Sequence, residues 1–247
     1  MSVLEDSRRL LEVWHAARGQ SRARRALALA ALAASVEPAE AAAWSLGARN
    51  AWLLQLVRNL SGPSLELVGR CTSCGENVEF TVDVGVLADL TRESAQHRTI
   101  SAPTAKLEHT GTVYHCRALT SADILAVEGL PADEVDLALL ARVLGDDPAR
   151  RDTARNLPDA AKDDARRVAG ALDPWAVLRL DLSCPACGTQ SEEPLPIADA
   201  AWHALESAAA SLVRDVHILA RAYGWTEAEI LSLPKWRRDV YAELTRA

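Results

Sequence analysis

Two short cysteine pairs hold the most legible chemistry of this chain: Cys71-Thr72-Ser73-Cys74 and Cys184-Pro185-Ala186-Cys187. A two-residue spacer lets both sulfurs of a pair reach one ion, and Gly75 and Gly188 let the backbone turn tightly behind them. Two such knuckles supply the four thiolates of a tetrahedral zinc site, so Cys71, Cys74, Cys184 and Cys187 are the candidate metal ligands. Four thiolates fill the tetrahedron and leave no position for water or substrate, which makes the expected Zn2+ structural rather than catalytic. The separation of the knuckles is unusual. About 110 residues lie between them, against roughly 15–20 in an ordinary ribbon. A ribbon opened that far must close around an inserted segment, and its metal would tie the first third of the chain to the last.

The other reactive side chains form no comparable pattern. Cys116 stands next to His115, but alternation along a strand sends neighbouring side chains to opposite faces, so the two cannot converge. His203 and His217 fall about four turns apart on one helix and cannot share an ion within it; His217 reads as a packed or surface histidine. The H-E-x-x-H, G-x-S-x-G, P-loop and G-x-G-x-x-G patterns are missing from the sequence. Asp146, Asp147, Asp163 and Asp164 lie in hydrophilic stretches and read as solvated carboxylates. The cluster Lys235-Trp236-Arg237-Arg238 suits contact with a partner protein, or a phosphate, as well as it suits an ordinary basic helix face. No catalytic or cofactor-binding residue emerges, and the expectation is a protein that is not an enzyme and takes no small-molecule substrate.

The elements that must position the cysteines follow from periodicity. Residues 1–62 read as an N-terminal helical module: Leu4, Leu10, Leu11 and Trp14 at helical spacing, then Arg22–Ser35, then a short helix opened by Pro38 and running to Trp44. Ser45 caps the next helix, whose Trp52, Leu53, Leu56, Val57 and Leu60 form an apolar stripe ending at Ser61-Gly62-Pro63. Residues 63–119 read as the first half of a β ribbon, with strands before and after the first knuckle (Leu65–Val68, Val78–Val84) and two more near Ala105–Glu108 and Thr112–Ala118; Thr91–Thr104 between them is a polar loop. Residues 120–174 read as a helical insertion, with helices over Ala122–Val127, Pro131–Leu144 and Pro158–Leu172, and an exposed loop from Gly145 through Arg155. Residues 175–197 return as the second half of the ribbon, and residues 198–247 as a C-terminal helical module. That module has a long helix over Ala198–Ala222, a capping box at Thr226-Glu227-Ala228-Glu229 and a final helix opened by Pro234. The expected fold class is α+β, mostly helical, with a small antiparallel zinc ribbon split by a helical insertion.

Of 247 residues, 49% are hydrophobic and 25% charged, the balance of a globular chain rather than a disordered one. A net charge of −7 argues against a nucleic-acid surface. Five cysteines, four of them assigned to metal, suit a reducing cytosol better than a disulfide framework. The N-terminus has neither the basic nor the apolar region of a signal peptide, and Ala26–Ala34 is too short to span a bilayer, so a cytoplasmic protein is expected.

Taken in order, the parts resemble a known family. They are Leu46-Gly47-Ala48-Arg49-Asn50-Ala51-Trp52-Leu53-Leu54, then Cys71-x-x-Cys74-Gly75 with Val78-Glu79-Phe80, and then Leu119-Thr120-Ser121-Ala122-Asp123. After the insertion come Cys184-Pro185-x-Cys187-Gly188 and the tail His217-x-Leu219-Ala220-x-x-Tyr223-Gly224-Trp225-x-Glu227-Ala228-Glu229-Ile230-Leu231. Nearly the whole chain is similar to the baseplate, or hub-assembly, proteins of contractile-tailed phages and phage-tail-like contractile injection systems. The resemblance implies an assembly chaperone whose partners are baseplate, hub or spike proteins, cytoplasmic or carried on the particle, with the four cysteines as zinc ligands. A permanent baseplate subunit and a zinc-ribbon regulator that binds nucleic acid are the alternative readings.

Overall fold

A computed structural model describes residues 6–92, 102–145 and 150–245. Leu4, most of the expected 91–104 loop, Asp146 and Asp147 lie outside the described residues. The N-terminal module is four helices: α1 (Ser7–Ala17), α2 (Arg22–Ala34), α3 (Pro38–Ala42) and α4 (Leu46–Ser61). Their starts are local. The side chains of Asp6, Ser21 and Ser45 each accept a first-turn amide of the helix that follows, and Pro38 opens α3. Ser35 ends α2 in the left-handed conformation.

Hairpin β1 (Ser64–Arg70) with β2 (Asn77–Asp83) carries the first knuckle at its tip, and α5 (Val84–Leu90) follows directly. Hairpin β3 (Thr104–His109) with β4 (Thr112–Arg117) comes next. Then come α6 (Ser121–Ala126), α7 (Ala132–Val143), α8 (Arg150–Asn156) and α9 (Asp159–Leu172). Hairpin β5 (Arg179–Ser183) with β6 (Gln190–Pro194) carries the second knuckle. The chain ends in α10 (Ile197–Tyr223), α11 (Glu227–Ser232) and α12 (Lys235–Leu244). The fold is therefore α+β and mostly helical, with three antiparallel two-stranded sheets among the described residues.

The main core lies where α10, roughly 40 Å long, crosses α1, α2 and α4. Leu29, Leu53, Leu54, Leu56, Val57 and Leu205 are fully buried there, so the stripe read on α4 faces inward. Arg25 lies over the Trp202 ring, 4.9 Å from its centroid, and joins α2 to α10 by a cation–π contact. A second core belongs to the insertion: Leu107 and Cys116 from β3 and β4 pack with Leu140, Leu144, Leu157, Ala161 and Ala165.

Two of these findings differ from the reading of the sequence. The β3–β4 hairpin packs on α7 and α9 and shares their core, although its strand texture grouped it with the ribbon. The Arg150–Arg155 stretch, expected as exposed loop, forms α8. Its charges hide the reason: Ala154 and Leu157 are buried against α7, and Arg151 reaches Glu134 at 2.6 Å.

The C-terminal tail closes on itself. Gly224 takes φ +71° to end α10, and the Thr226 and Glu229 side chains complete a capping box at the start of α11. Tyr223, Trp225 and Tyr241 then form one aromatic cluster, with centroids 4.8, 4.9 and 5.7 Å apart.

Candidate metal centre

Each knuckle is a tight turn held by its own backbone. Cys71 N donates to Glu76 O at 2.8 Å and Gly75 N to Cys71 O at 2.9 Å; Cys184 N donates to Thr189 O and Gly188 N to Cys184 O, both at 2.9 Å. Gly75 (φ +76°) and Gly188 (φ +71°) occupy the left-handed region, as their place behind the cysteine pairs predicts. The strands hold the tips rigid, Arg70 opposite Asn77 in one hairpin and Ser183 opposite Gln190 in the other.

The two tips meet. The sulfurs of Cys71, Cys74, Cys184 and Cys187 all lie within 4.8 Å of one another. Across the hairpins, Cys71 Sγ is 3.7 Å from Cys187 Sγ, and Cys74 Sγ is 3.7 Å from Cys184 Sγ. A tetrahedron with metal–sulfur bonds of about 2.3 Å has edges of about 3.8 Å. The four residues are thus positioned to hold a metal ion. Cys71 and Cys184 are buried with Val78 and Phe80 behind them, while Cys74 and Cys187 face outward.

The local hydrogen bonds favour the thiolate at Cys187 and Cys71 and disfavour it, on balance, at Cys74. Hydrogen bonds from the Thr189 hydroxyl and amide draw the Cys187 thiol down to about 6, and the backbone amides of Cys74 and Ser73 lower that of Cys71. The Glu76 amide also favours the Cys74 thiolate, but crowding by Cys187, burial and Cys71 outweigh it and push Cys74 up to about 12. Sulfurs this close cannot all ionise unless a positive ion sits among them.

Other sequence-singled residues lie apart from this centre. Cys116 is fully buried in the insertion core, its thiol pushed up by burial, and His115 is exposed on the opposite face of β4. His203 is exposed beside Glu206, and His217 is exposed. Asp163 pairs with Arg166 at 2.7 Å, and Asp164 with Arg167 and, at 3.6 Å, with His109. The Lys235–Arg238 cluster splits: Arg238 turns inward, donating to Leu233 O at 2.5 Å, while Lys235, Trp236 and Arg237 stay exposed.

A polar joint that the periodicity of α4 does not reveal sits at that helix's start. Asp173, just after α9, accepts the Gly47 amide at 2.7 Å. Asn50 donates to the carbonyls of Trp175 and Ala176, each at 3.0 Å, and Leu46 N donates to Leu119 O at 3.1 Å. Both chain crossings of the insertion, at Leu119 and at Asp173–Ala176, are therefore fastened to the Leu46–Asn50 turn. The one signal available in advance is Asn50 itself, an amide directly before the apolar run Ala51-Trp52-Leu53-Leu54.

Comparison with known proteins assigns no relative: no protein-family model, curated protein or solved structure matches the chain. Among the described residues, no helix is long and apolar enough to cross a membrane.

Proposed function

We propose that this chain is a non-enzymatic zinc-ribbon protein that assists assembly of the baseplate or hub of a contractile tail-like particle. The ion is zinc. Four thiolates in a closed tetrahedron are its preferred structural set, and a redox-silent ion suits a site whose role is to join two hairpins. Zinc clamps the hairpin that follows α4 to the hairpin that leads into α10, so the two helical modules hold one relative position.

The observation that carries the partner reading is the outer face of α12. Trp236, Val240 and Leu244, four residues apart along the helix, are 65, 48 and 60% exposed. Lys235 and Arg237 flank this stripe, and the aromatic cluster of Tyr223, Trp225 and Tyr241 supports the helix from behind. An exposed aromatic on a rigid base, bordered by charged residues of both signs, is the composition of a protein-contact surface. The tail Tyr223-Gly224-Trp225, part of the sequence resemblance to baseplate proteins, builds that base.

The test is affinity purification of the tagged protein from its native host while particles assemble, with mass spectrometry of the co-purifying chains. Recovery of hub, spike or baseplate proteins is expected, and Trp236→Ala should reduce it without lowering Tm. Absence of the protein from finished particles identifies a chaperone, and presence a permanent subunit. Recovery of polymerase or nucleic acid without tail proteins overturns the assembly reading.

A further inference from the structure

The two knuckles follow the same backbone path, yet one position in that path differs in chemistry. Two residues past the second cysteine of each pair stand Glu76 and Thr189. Their backbones are equivalent. Glu76 O accepts the Cys71 amide at 2.8 Å and Thr189 O the Cys184 amide at 2.9 Å, while the Glu76 amide donates to Cys74 and the Thr189 amide to Cys187. Their side chains are not. The half-buried Thr189 hydroxyl lies 3.2 Å from Cys187 Sγ, and because a ligating thiolate can only accept, the hydroxyl donates. Glu76 is exposed and ends in a carboxylate, which cannot donate. Among the described residues no side-chain hydroxyl or cation hydrogen-bonds Cys74 in its place. Arg70 lies beside that turn but gives its Nε–H to Gly75 O at 3.0 Å.

Cys74 and Cys187 are also the two ligands within reach of a reagent, since both are exposed and Cys71 and Cys184 are buried. A hydrogen bond to a ligating thiolate draws charge from the sulfur and makes it a poorer nucleophile. One hydroxyl–thiolate bond slows attack by that sulfur about three- to tenfold. The outward face of the centre therefore presents one shielded sulfur and one unshielded one.

We propose that Cys74 is the site at which soft electrophiles modify this centre and open it, and that Thr189 is the positioning residue that withholds Cys187 from the same attack. The step is an alkylation by an activated alkene. Cys74 Sγ adds to the β-carbon, a carbon–sulfur bond forms as the carbon–carbon π bond breaks, and the α-carbon takes a proton from water. The thioether left behind is neutral and a poor ligand. Cys71 then remains as the only ligand of the first hairpin, so the clamp loosens on the side that follows α4. The assignment rests on the reading of the centre as a zinc site and names the ligand at which it opens.

The full-length, zinc-loaded protein is treated with N-ethylmaleimide and sampled before one equivalent has reacted. Peptide mass spectrometry locates the adducts, and a chromophoric chelator reports released metal. Cys74 should carry the first adducts, about three- to tenfold ahead of Cys187, with metal release following its modification. Thr189→Val should speed modification of Cys187 about three- to tenfold and bring the two cysteines level, whereas Thr189→Ser, which keeps the hydroxyl, should preserve the wild-type order. Glu76→Thr should slow modification of Cys74 by bringing a hydroxyl to it, and this exposed substitution decides the matter if Thr189→Val does not hold metal. Equal or reversed order in the wild type, a Cys187 rate unmoved by Thr189→Val, or no alkylation of either ligand overturns the proposal. Protein that purifies without zinc from metal-replete cells fails the zinc reading; one zinc per chain with the order reversed fails the ligand assignment alone.

Discussion

Asp173 Oδ2 accepts the backbone amide of Gly47 at 2.7 Å, across 126 positions of sequence. The contact is close because Gly47 has no side chain. A Cβ built there would stand 2.0 Å from Asp173 Oδ1 and 3.0 Å from Trp175 Cβ. Gly47→Ala sets two effects against each other: alanine favours the helix by about 1 kcal/mol, and the clash pushes the return segment off α4. The clash should win, for a net loss of about 1–3 kcal/mol seen as a Tm lower by several degrees. In an Asp173→Ala background the same substitution should cost less, a coupling that a double-mutant cycle measures. An unchanged or raised Tm for Gly47→Ala alone would show that the joint yields freely.

The metal should be stoichiometric and structural. Purified protein is expected to carry one zinc per chain by elemental analysis. Chelation should lower Tm, and Cys71→Ser or Cys184→Ser should lose the zinc and melt like the chelated wild type, because ion binding is coupled to folding of the two tips. Unchanged melting after chelation and in both variants would remove the structural role.

Thiol labelling separates the two cores. In the metal-loaded protein no thiol should react quickly with a disulfide reagent, since the four knuckle sulfurs would be engaged by the ion and Cys116 is fully buried. After chelation four thiols should react. Cys116 should stay protected, because the insertion core of Leu107, Leu140, Leu144 and Ala161 contains no residue of the knuckles. Five fast thiols after chelation would mean that the insertion core depends on the metal.

Asp123 carries a pH signature. Burial alone would raise its carboxyl, but hydrogen bonds and charge from Arg117, with the Thr120 amide and hydroxyl, pull it down from 3.8 to about 2. Arg117 Nη1 lies 2.6 Å and Arg142 Nη1 3.0 Å from its oxygens, and the side chain is 3% exposed. The folded state therefore holds fewer protons here than the unfolded one between these values. The stability Asp123 contributes is complete above about pH 4 and lost as pH falls toward 2, on the order of 2 kcal/mol. Wild type minus Asp123→Asn in acid denaturation should show that loss. At neutral pH the variant should be less stable, by up to roughly 3–5 kcal/mol, because it leaves two arginines without their carboxylate. Parallel acid profiles would assign the network no electrostatic role.

Much of the local structure was legible because its causes lie within a few residues. The knuckles, the Ser45 cap, the Thr226–Glu229 capping box and the glycine behind each cysteine pair all turn on contacts at most about five positions long. The α4 stripe was legible for the same reason, since one helical period marks its buried face. The failures share the opposite property. Arg150–Arg155 reads as loop because its charges conceal the burial of Ala154 and of Leu157 just beyond it, and Lys235–Arg238 reads as one cluster although Arg238 turns to Leu233 and Asp215.

The sequence by itself determined which residues can share a metal ion and where most helices begin and end. Spacing, capping and breaker chemistry are short-range and leave few alternatives. Only the tertiary structure decided that the β3–β4 hairpin shares the core of α7 and α9, and that Asp173 and Asn50 fasten both crossings of that segment to α4. These depend on which surfaces meet across a hundred or more residues. Apolar periodicity says that a face must be covered, and packing of the whole chain selects what covers it.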